Sequence, residues 1–86
     1  MNPDLIPFVI EMAAALMKPS EIAVLLDFNS DEFSYIIKNK PESPFTIAYN
    51  KGRYQTKFEL RKKIIQLAKA GSPQAELLAD KYLSQE

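Results

Sequence analysis

Two residue types that carry much of protein chemistry are absent from this chain, and a third is scarce. The 86 residues include no cysteine and no histidine, and only two glycines. Without cysteine there is neither a disulfide framework nor a thiolate metal site, and without histidine the usual imidazole ligand and acid–base group is missing. No glycine-rich phosphate loop occurs, and no nucleophile stands beside an activating base. The sequence therefore favours binding over catalysis, and we expect no enzyme activity, metal or cofactor.

The apolar content is typical of one small folded domain. Hydrophobic residues make up 47% of the chain, which is too much for intrinsic disorder. A chain of this length buries only about 60–65% of its unfolded surface, so it builds one modest core. The apolar segment 5–17 follows no Lys or Arg, contains Glu11, and is shorter than the roughly 20 residues that span a bilayer. We expect a core helix in a cytoplasmic protein without membrane partners.

Charge is segregated along the chain although its net value is zero. Residues 1–37 carry six Asp or Glu and one Lys, whereas residues 38–69 carry nine Lys or Arg and two Glu. This central basic block either attracts phosphates or forms a solvated helix face that pairs with acidic neighbours. The charge pattern alone leaves both interpretations open.

Helical periodicity and capping residues predict an all-α fold of four or five helices. Residues 2–4, Asn-Pro-Asp, are a typical helix start, and Lys-Pro at 18–19 is expected to end that first helix. Ser20 is the predicted N-cap of the second helix. The expected core comprises Phe8, Met12, Leu16, Ile22, Leu25, Phe28, Phe33 and Ile36.

Residues 20–37, SEIAVLLDFNSDEFSYII, are typical of a helix-turn-helix unit. The small Ala23 permits the two helices to approach closely, and Asp27 occupies a turn position that requires a left-handed backbone. Phe28 is the expected buried residue of the turn. Asn29 is the predicted N-cap of the third helix, with Glu32 completing an Asn-x-x-Glu capping box. We predict a helix-turn-helix subdomain over residues 1–40.

A second half, residues 45–86, is predicted to be a helical hairpin within a single compact domain. A long helix is expected from about residue 45 to 70, with a break permitted at Gly52, and a short C-terminal helix capped by Ser72 should follow Gly71. One apolar stripe of the long helix comprises Phe45, Ala48, Tyr49, Gly52, Thr56, Leu60, Ile64 and Leu67. A second stripe, nearly opposite, comprises Ile47, Tyr54, Phe58 and Ile65. Either the first helix covers the second stripe, or a partner binds there.

The helix-turn-helix unit followed by AYNKGRYQTKFELRKKIIQLAKAGSPQAELLADKYL resembles the small terminase subunits of tailed phages, over residues 20–83. The resemblance is carried by Ala48-Tyr49, Gly52-Arg53, Glu59-Leu60-Arg61, Leu67-Ala68 and Gly71. It implies a helix-turn-helix that binds double-stranded phage DNA at packaging initiation, and following helices that build a homo-oligomer. It also implies a large partner subunit that supplies the ATPase and nuclease. The DNA-binding positions that it implies are Ser34, Tyr35, Lys38 and Asn39.

Two functional hypotheses follow. In the first, the protein is a non-enzymatic DNA-binding adaptor in which Tyr35 and Asn39 meet base edges while Lys38 and Lys40 contact phosphates. In the second, it is a helical protein-interaction or oligomerisation module without DNA binding, which uses the stripe Ile47, Tyr54, Phe58 and Ile65.

Overall fold

The computed structural model describes residues 1–85, which form helices joined by short turns. A 3-10 turn at Pro3–Leu5 leads into α1 (Ile6–Ala14), α2 (Pro19–Leu25), α3 (Ser30–Asn39), α4 (Pro44–Lys69) and α5 (Pro73–Leu83). No strand occurs among these residues. The all-α prediction, with a long central helix and a short C-terminal helix, is confirmed. Within residues 1–85, no helix combines the length and the apolar character needed to cross a bilayer.

Side-chain caps start three helical segments at the predicted residues: the 3-10 turn, α3 and α5. Asn2 Oδ1 accepts a hydrogen bond from Asp4 N at 2.9 Å, and Asn29 Oδ1 accepts one from Glu32 N at 2.9 Å. Ser72 Oγ accepts one from the backbone N–H of Ala75 at 3.4 Å. These bonds satisfy N–H groups that the first helical turn leaves without partners.

The predicted cap at Ser20 is wrong, because Ser20 lies inside α2. The N-cap is Lys18, and Pro19 is the first helical residue. Proline suits that position, since it lacks an N–H group that would have no helical partner there. The backbone N–H of Lys18 donates instead to Glu21 Oε1 at 2.8 Å. The start of α2 is therefore stabilised by a carboxylate rather than by a hydroxyl.

Three helices end in one type of turn, in which a residue with positive φ follows the helix. These residues are Leu16 (φ 63°), Asp27 (φ 58°) and Gly71 (φ 98°). In each case the next backbone N–H donates to a carbonyl five residues earlier: Met17 to Met12, Phe28 to Ala23, and Ser72 to Leu67. This pattern is the Schellman motif, which satisfies carbonyls at helix ends. The predicted left-handed backbone at Asp27 is confirmed. The first helix ends earlier than predicted, at Ala14 instead of residues 18–19.

The chain divides into two compact units, Met1–Thr56 and Lys57–Glu86. The division lies inside α4, whereas the sequence predicts it at the linker between residues 40 and 45. The first turns of α4 belong to the N-terminal unit because Ala48 and Gly52 are buried there. A further tie comes from Thr56 Oγ1, which donates to Ala14 O at the end of α1.

The core of the N-terminal unit is made largely of small side chains. Its buried members are Val9, Ala13, Ile22, Ala23, Phe33 and Ala48. Of the predicted core, Ile22 and Phe33 are buried, whereas Met12, Phe28 and Ile36 are half-buried. The prediction is wrong for Phe8, Leu16 and Leu25, whose side chains are about half exposed. The reason is that α1 and α2 turn their alanine-bearing edges inward, which brings the backbones close together.

The backbone of α4 approaches that of α1 most closely at Gly52. A Cβ built on Gly52 would lie 2.8 Å from Ala14 N and 2.9 Å from Ala13 Cβ, and closer still to Ile10 O. Any side chain there would overlap backbone atoms. The helix runs unbroken through Gly52, so this glycine permits close packing between helices and does not interrupt α4.

Three phenylalanines connect the turn of the helix-turn-helix unit to α4. The ring centroids of Phe28 and Phe33 are 5.5 Å apart, and Phe45 lies 5.7 Å from Phe28 in an edge-to-face arrangement. Such pairs contribute about 0.5–1.5 kcal/mol beyond their buried area. Thr46 Oγ1 also donates to Ile36 O at 3.0 Å. The start of α4 therefore fixes α3 in place on the N-terminal unit.

Candidate nucleic-acid interface

The candidate site is the outer face of α3, presented by the turn that joins it to α2. The two helices pack directly on each other through Ala23 and Phe33, both fully buried. The left-handed backbone at Asp27 makes the turn tight, and the Asp27 side chain is exposed. A short helix, a tight turn and a second helix with a free face are the elements of a DNA-binding helix-turn-helix.

The predicted DNA-binding residues lie together on this face. Ser34, Tyr35, Lys38 and Asn39 recur at steps of one and three along α3, and Lys40 follows directly after the helix. Tyr35 is 57% exposed, and Lys38, Asn39 and Lys40 are exposed as well, whereas Ser34 is half-buried. The opposite side of α3 packs inward through Phe33 and Ile37. The face is therefore open to a ligand.

The two predicted base-reading side chains are not equally free. Asn39 Nδ2 donates to the backbone oxygen of Tyr35 at 3.0 Å, a bond within the last turn of α3. The Asn39 amide keeps its oxygen and a second N–H for a ligand. The Asn39 side chain is therefore less free than its exposure alone indicates.

The first turn of α3 carries two carboxylates, Asp31 and Glu32. Acidic groups are favourable there because the helix dipole places partial positive charge at its N-terminus. In helix-turn-helix proteins the N-terminal residues of the second helix meet the base edges. A carboxylate in that position is repelled by phosphates, so Asp31 and Glu32 lower the affinity expected of this face for DNA.

The basic block of α4 is partly occupied by contacts within the chain. In the C-terminal unit, Arg61 places its guanidinium 4.3 Å from the centroid of the Tyr82 ring and donates through Nη2 to Gln85 Oε1 at 3.0 Å. In the N-terminal unit, the Arg53 guanidinium lies 5.6 Å from the ring centroid of Tyr49. These cations stabilise aromatic side chains. The arginines of α4 are therefore less free to meet a ligand than the exposed Lys38 and Lys40.

Within the N-terminal unit, α1 packs on α4 at Gly52, on the side of the helix opposite to Ile47 and Tyr54 of the second apolar stripe. The exposed fractions of its members Ile47, Tyr54, Phe58 and Ile65 range from 41% to 63%. Of the two interpretations of this stripe, cover by the first helix is therefore wrong. The stripe is accessible to a partner.

Sequence reasoning missed the exposure of three leucines on α5, of which Leu78 is 42% exposed. Leu77 is 72% exposed and Leu83 is 75% exposed, although periodicity places Leu83 on the apolar face of the helix. A signal was present at Leu77, because this leucine falls outside the helical repeat of Ala75, Leu78, Ala79 and Tyr82. Its position in the repeat already places Leu77 on the side of α5 that faces away from Ala75.

Comparison with known proteins yields no relative: no protein-family model, no curated protein and no solved structure matches the chain.

Proposed function

We propose that this protein is a non-enzymatic DNA-binding adaptor that places α3 in the major groove of duplex DNA. The observation that supports the proposal is the joint arrangement of α2, the left-handed turn at Asp27 and the open polar face of α3. On the basis of the resemblance to small terminase subunits, we propose that the biological process is DNA recognition in phage genome packaging. In that setting the protein acts in the cytoplasm and recruits a large ATPase-nuclease subunit.

Each side chain of the face has a separate role in this proposal. Tyr35 contacts base edges, with Asn39 contributing through its free amide atoms, while Lys38 and Lys40 hold the phosphate backbone. The Ser34 hydroxyl donates a hydrogen bond to the DNA backbone. Because the net charge of the chain is zero, long-range attraction is small and the local lysines must supply the electrostatic contribution.

The test is a fluorescence-anisotropy titration of labelled duplex DNA at several salt concentrations. Lys38→Gln combined with Lys40→Gln should weaken binding on every sequence and reduce the slope of log K against log salt by about 0.9 for each phosphate that is no longer neutralised. The matched control, Lys51→Gln combined with Lys63→Gln, changes the net charge equally but leaves α3 intact. It should retain most of the affinity and the slope.

Two further variants separate base reading from charge. Tyr35→Ala should reduce the preference between duplex sequences, since base contacts carry specificity. Asp31→Asn should increase affinity, because it removes a carboxylate that the phosphates lining the groove would repel. Absence of duplex binding at low salt, for both the wild type and Asp31→Asn, would refute the DNA proposal.

A second candidate function is supported by a different observation, the exposed stripe on α4. Here the protein is a helical interaction module in which apolar side chains such as Tyr54 and Phe58 bind a partner helix. Sedimentation of the protein without DNA tests this function independently. Self-association of a wild type that binds no duplex DNA at low salt would favour an interaction module over a DNA adaptor.

A further inference from the structure

One acidic side chain, Asp31, lies in the middle of the outer face of α3. It precedes Tyr35 by one turn and Lys38 by two turns, so at about 100° per residue it projects within about 40° of both side chains. All three are exposed. Glu32, the other carboxylate of the first turn, projects about 120° away from Lys38. Asp31 therefore belongs to the face that meets a ligand, whereas Glu32 lies at its edge.

The start of α3 is capped by a different residue. Asn29 Oδ1 accepts a hydrogen bond from Glu32 N at 2.9 Å, so the cap does not depend on the Asp31 carboxylate. Acidic groups in the first turn also interact favourably with the helix dipole, and Glu32 supplies one such group. Since Asn29 and Glu32 already meet these two needs of the helix end, the exposed Asp31 carboxylate is available to a ligand.

The four bases present different groups in the major groove of DNA. Cytosine presents the N4 amino donor and adenine presents the N6 amino donor beside the N7 acceptor, whereas the polar groups of guanine and thymine there are acceptors. An ionised carboxylate has acceptors and no donor. It attracts an amino group and is repelled by a carbonyl oxygen or a ring nitrogen. Cytosine, whose edge presents no acceptor, is therefore the base that suits a carboxylate best.

We propose that Asp31 determines the base specificity of the α3 face by accepting a hydrogen bond from the N4 amino group of a cytosine. This inference rests on the proposed function, because it requires α3 to lie in the major groove with its N-terminal residues at the base edges. The phosphates repel Asp31 on every sequence, and only the amino group compensates for this repulsion. Asp31 thus lowers the affinity for other sequences more than the affinity for those with cytosine at this position.

Two substitutions of Asp31 have different expected effects on the preferred base. Asp31→Asn introduces an amide, which both donates and accepts and pairs with adenine through N6 and N7. The preferred base should therefore change from cytosine to adenine. Asp31→Ala removes all hydrogen bonding at this position and should abolish the preference there. A carboxylate that served only the helix dipole would influence the stability of α3 and would leave the sequence preference unchanged.

The experiment is selection of bound duplexes from a library of randomised base pairs at low salt, followed by sequencing. The wild type should enrich a motif that contains a cytosine, and Asp31→Asn should enrich the same motif with adenine at that position. Anisotropy titrations then compare two duplexes that carry cytosine or thymine at this base pair. The wild type should bind the cytosine duplex at least about fivefold more tightly, the lower end of the discrimination that one good base contact gives. Asp31→Ala should bind the two duplexes equally, and Asp31→Asn should gain most affinity on the thymine duplex.

Glu32→Gln is the matched control, because it removes the same charge from the same helical turn at the edge of the face. It should retain the cytosine preference of the wild type. Thermal unfolding followed by circular dichroism should give similar Tm values for Glu32→Gln and Asp31→Asn, since each loses one favourable interaction with the helix dipole. A change of preferred base in Asp31→Asn alone is then not a consequence of altered stability.

Two outcomes would overturn this inference and leave the proposed function standing. One is a wild type that binds duplex DNA without any preference for cytosine. The other is an Asp31→Asn protein that selects the same motif as the wild type, or a Glu32→Gln protein whose motif changes in the same way. A wild type that binds no duplex DNA refutes the DNA proposal itself, and the inference with it.

Discussion

Substitution of Gly52 by alanine should destabilise the protein, although in an ordinary helix the same change is stabilising. The added Cβ would lie within 3 Å of Ala14 N and Ala13 Cβ and would overlap Ile10 O. Overpacking costs typically 1–3 kcal/mol, and we expect the upper end because two of the opposing atoms belong to the backbone. The better helix propensity of alanine returns about 1 kcal/mol. The net loss in unfolding free energy is therefore about 2 kcal/mol.

Thermal and urea unfolding followed by circular dichroism measure this effect. For a domain of this size, about 2 kcal/mol corresponds to a fall in Tm of roughly 8–16 °C. The control is Gln55→Gly at an exposed position of the same helix, where only propensity acts and about 0.5–1 kcal/mol should be lost. A Gly52→Ala protein that is as stable as the wild type, or more stable, would show that α1 does not approach α4 at this residue.

Further substitutions test the packing around α3. Phe33→Ala, at a fully buried site, should lower the unfolding free energy by about 4 kcal/mol. Phe28→Ala, at a half-buried site, should lower it by about 3 kcal/mol. A larger loss for Phe28→Ala in urea unfolding would contradict the relative burial of the two side chains. Asp27→Gly should increase the unfolding free energy by about 0.5–1 kcal/mol and so raise Tm, because glycine adopts the left-handed backbone without strain. A fall in Tm would mean that the Asp27 carboxylate has a stabilising role. Thr46→Val should cost about 1 kcal/mol by removing the hydrogen bond to Ile36 O, and an unchanged urea midpoint would show that this bond contributes nothing.

Much of the candidate site follows from local sequence signals. The period of the polar residues on α3 places Tyr35 and Lys38 on one face, and that face depends only on helix geometry. The Asn29 cap and the left-handed Asp27 were likewise predictable, because both depend on residues within one turn of chain. The hydrogen bond that Asn39 Nδ2 donates to Tyr35 O was not anticipated, because a side chain in the last helical turn can bond to solvent equally well.

Local chemistry specified the helices of this protein, and packing between distant segments specified which of their faces are buried. Gly71 and Asp27 indicate helix ends in the sequence because glycine and aspartate tolerate positive φ. Leu16 also adopts positive φ, although leucine gives no such indication in the sequence. Small residues are buried in place of larger neighbours at Ala13, Ala23 and Gly52. Their burial depends on how closely two helix backbones approach, and that distance cannot be predicted from a short segment of sequence. Apolar periodicity on α4 could be read from the sequence, but only the position of α1 determined that Ala48 and Gly52 of the first stripe are buried whereas Ile47 and Tyr54 of the second are exposed. A helix can bury only the side that another element reaches.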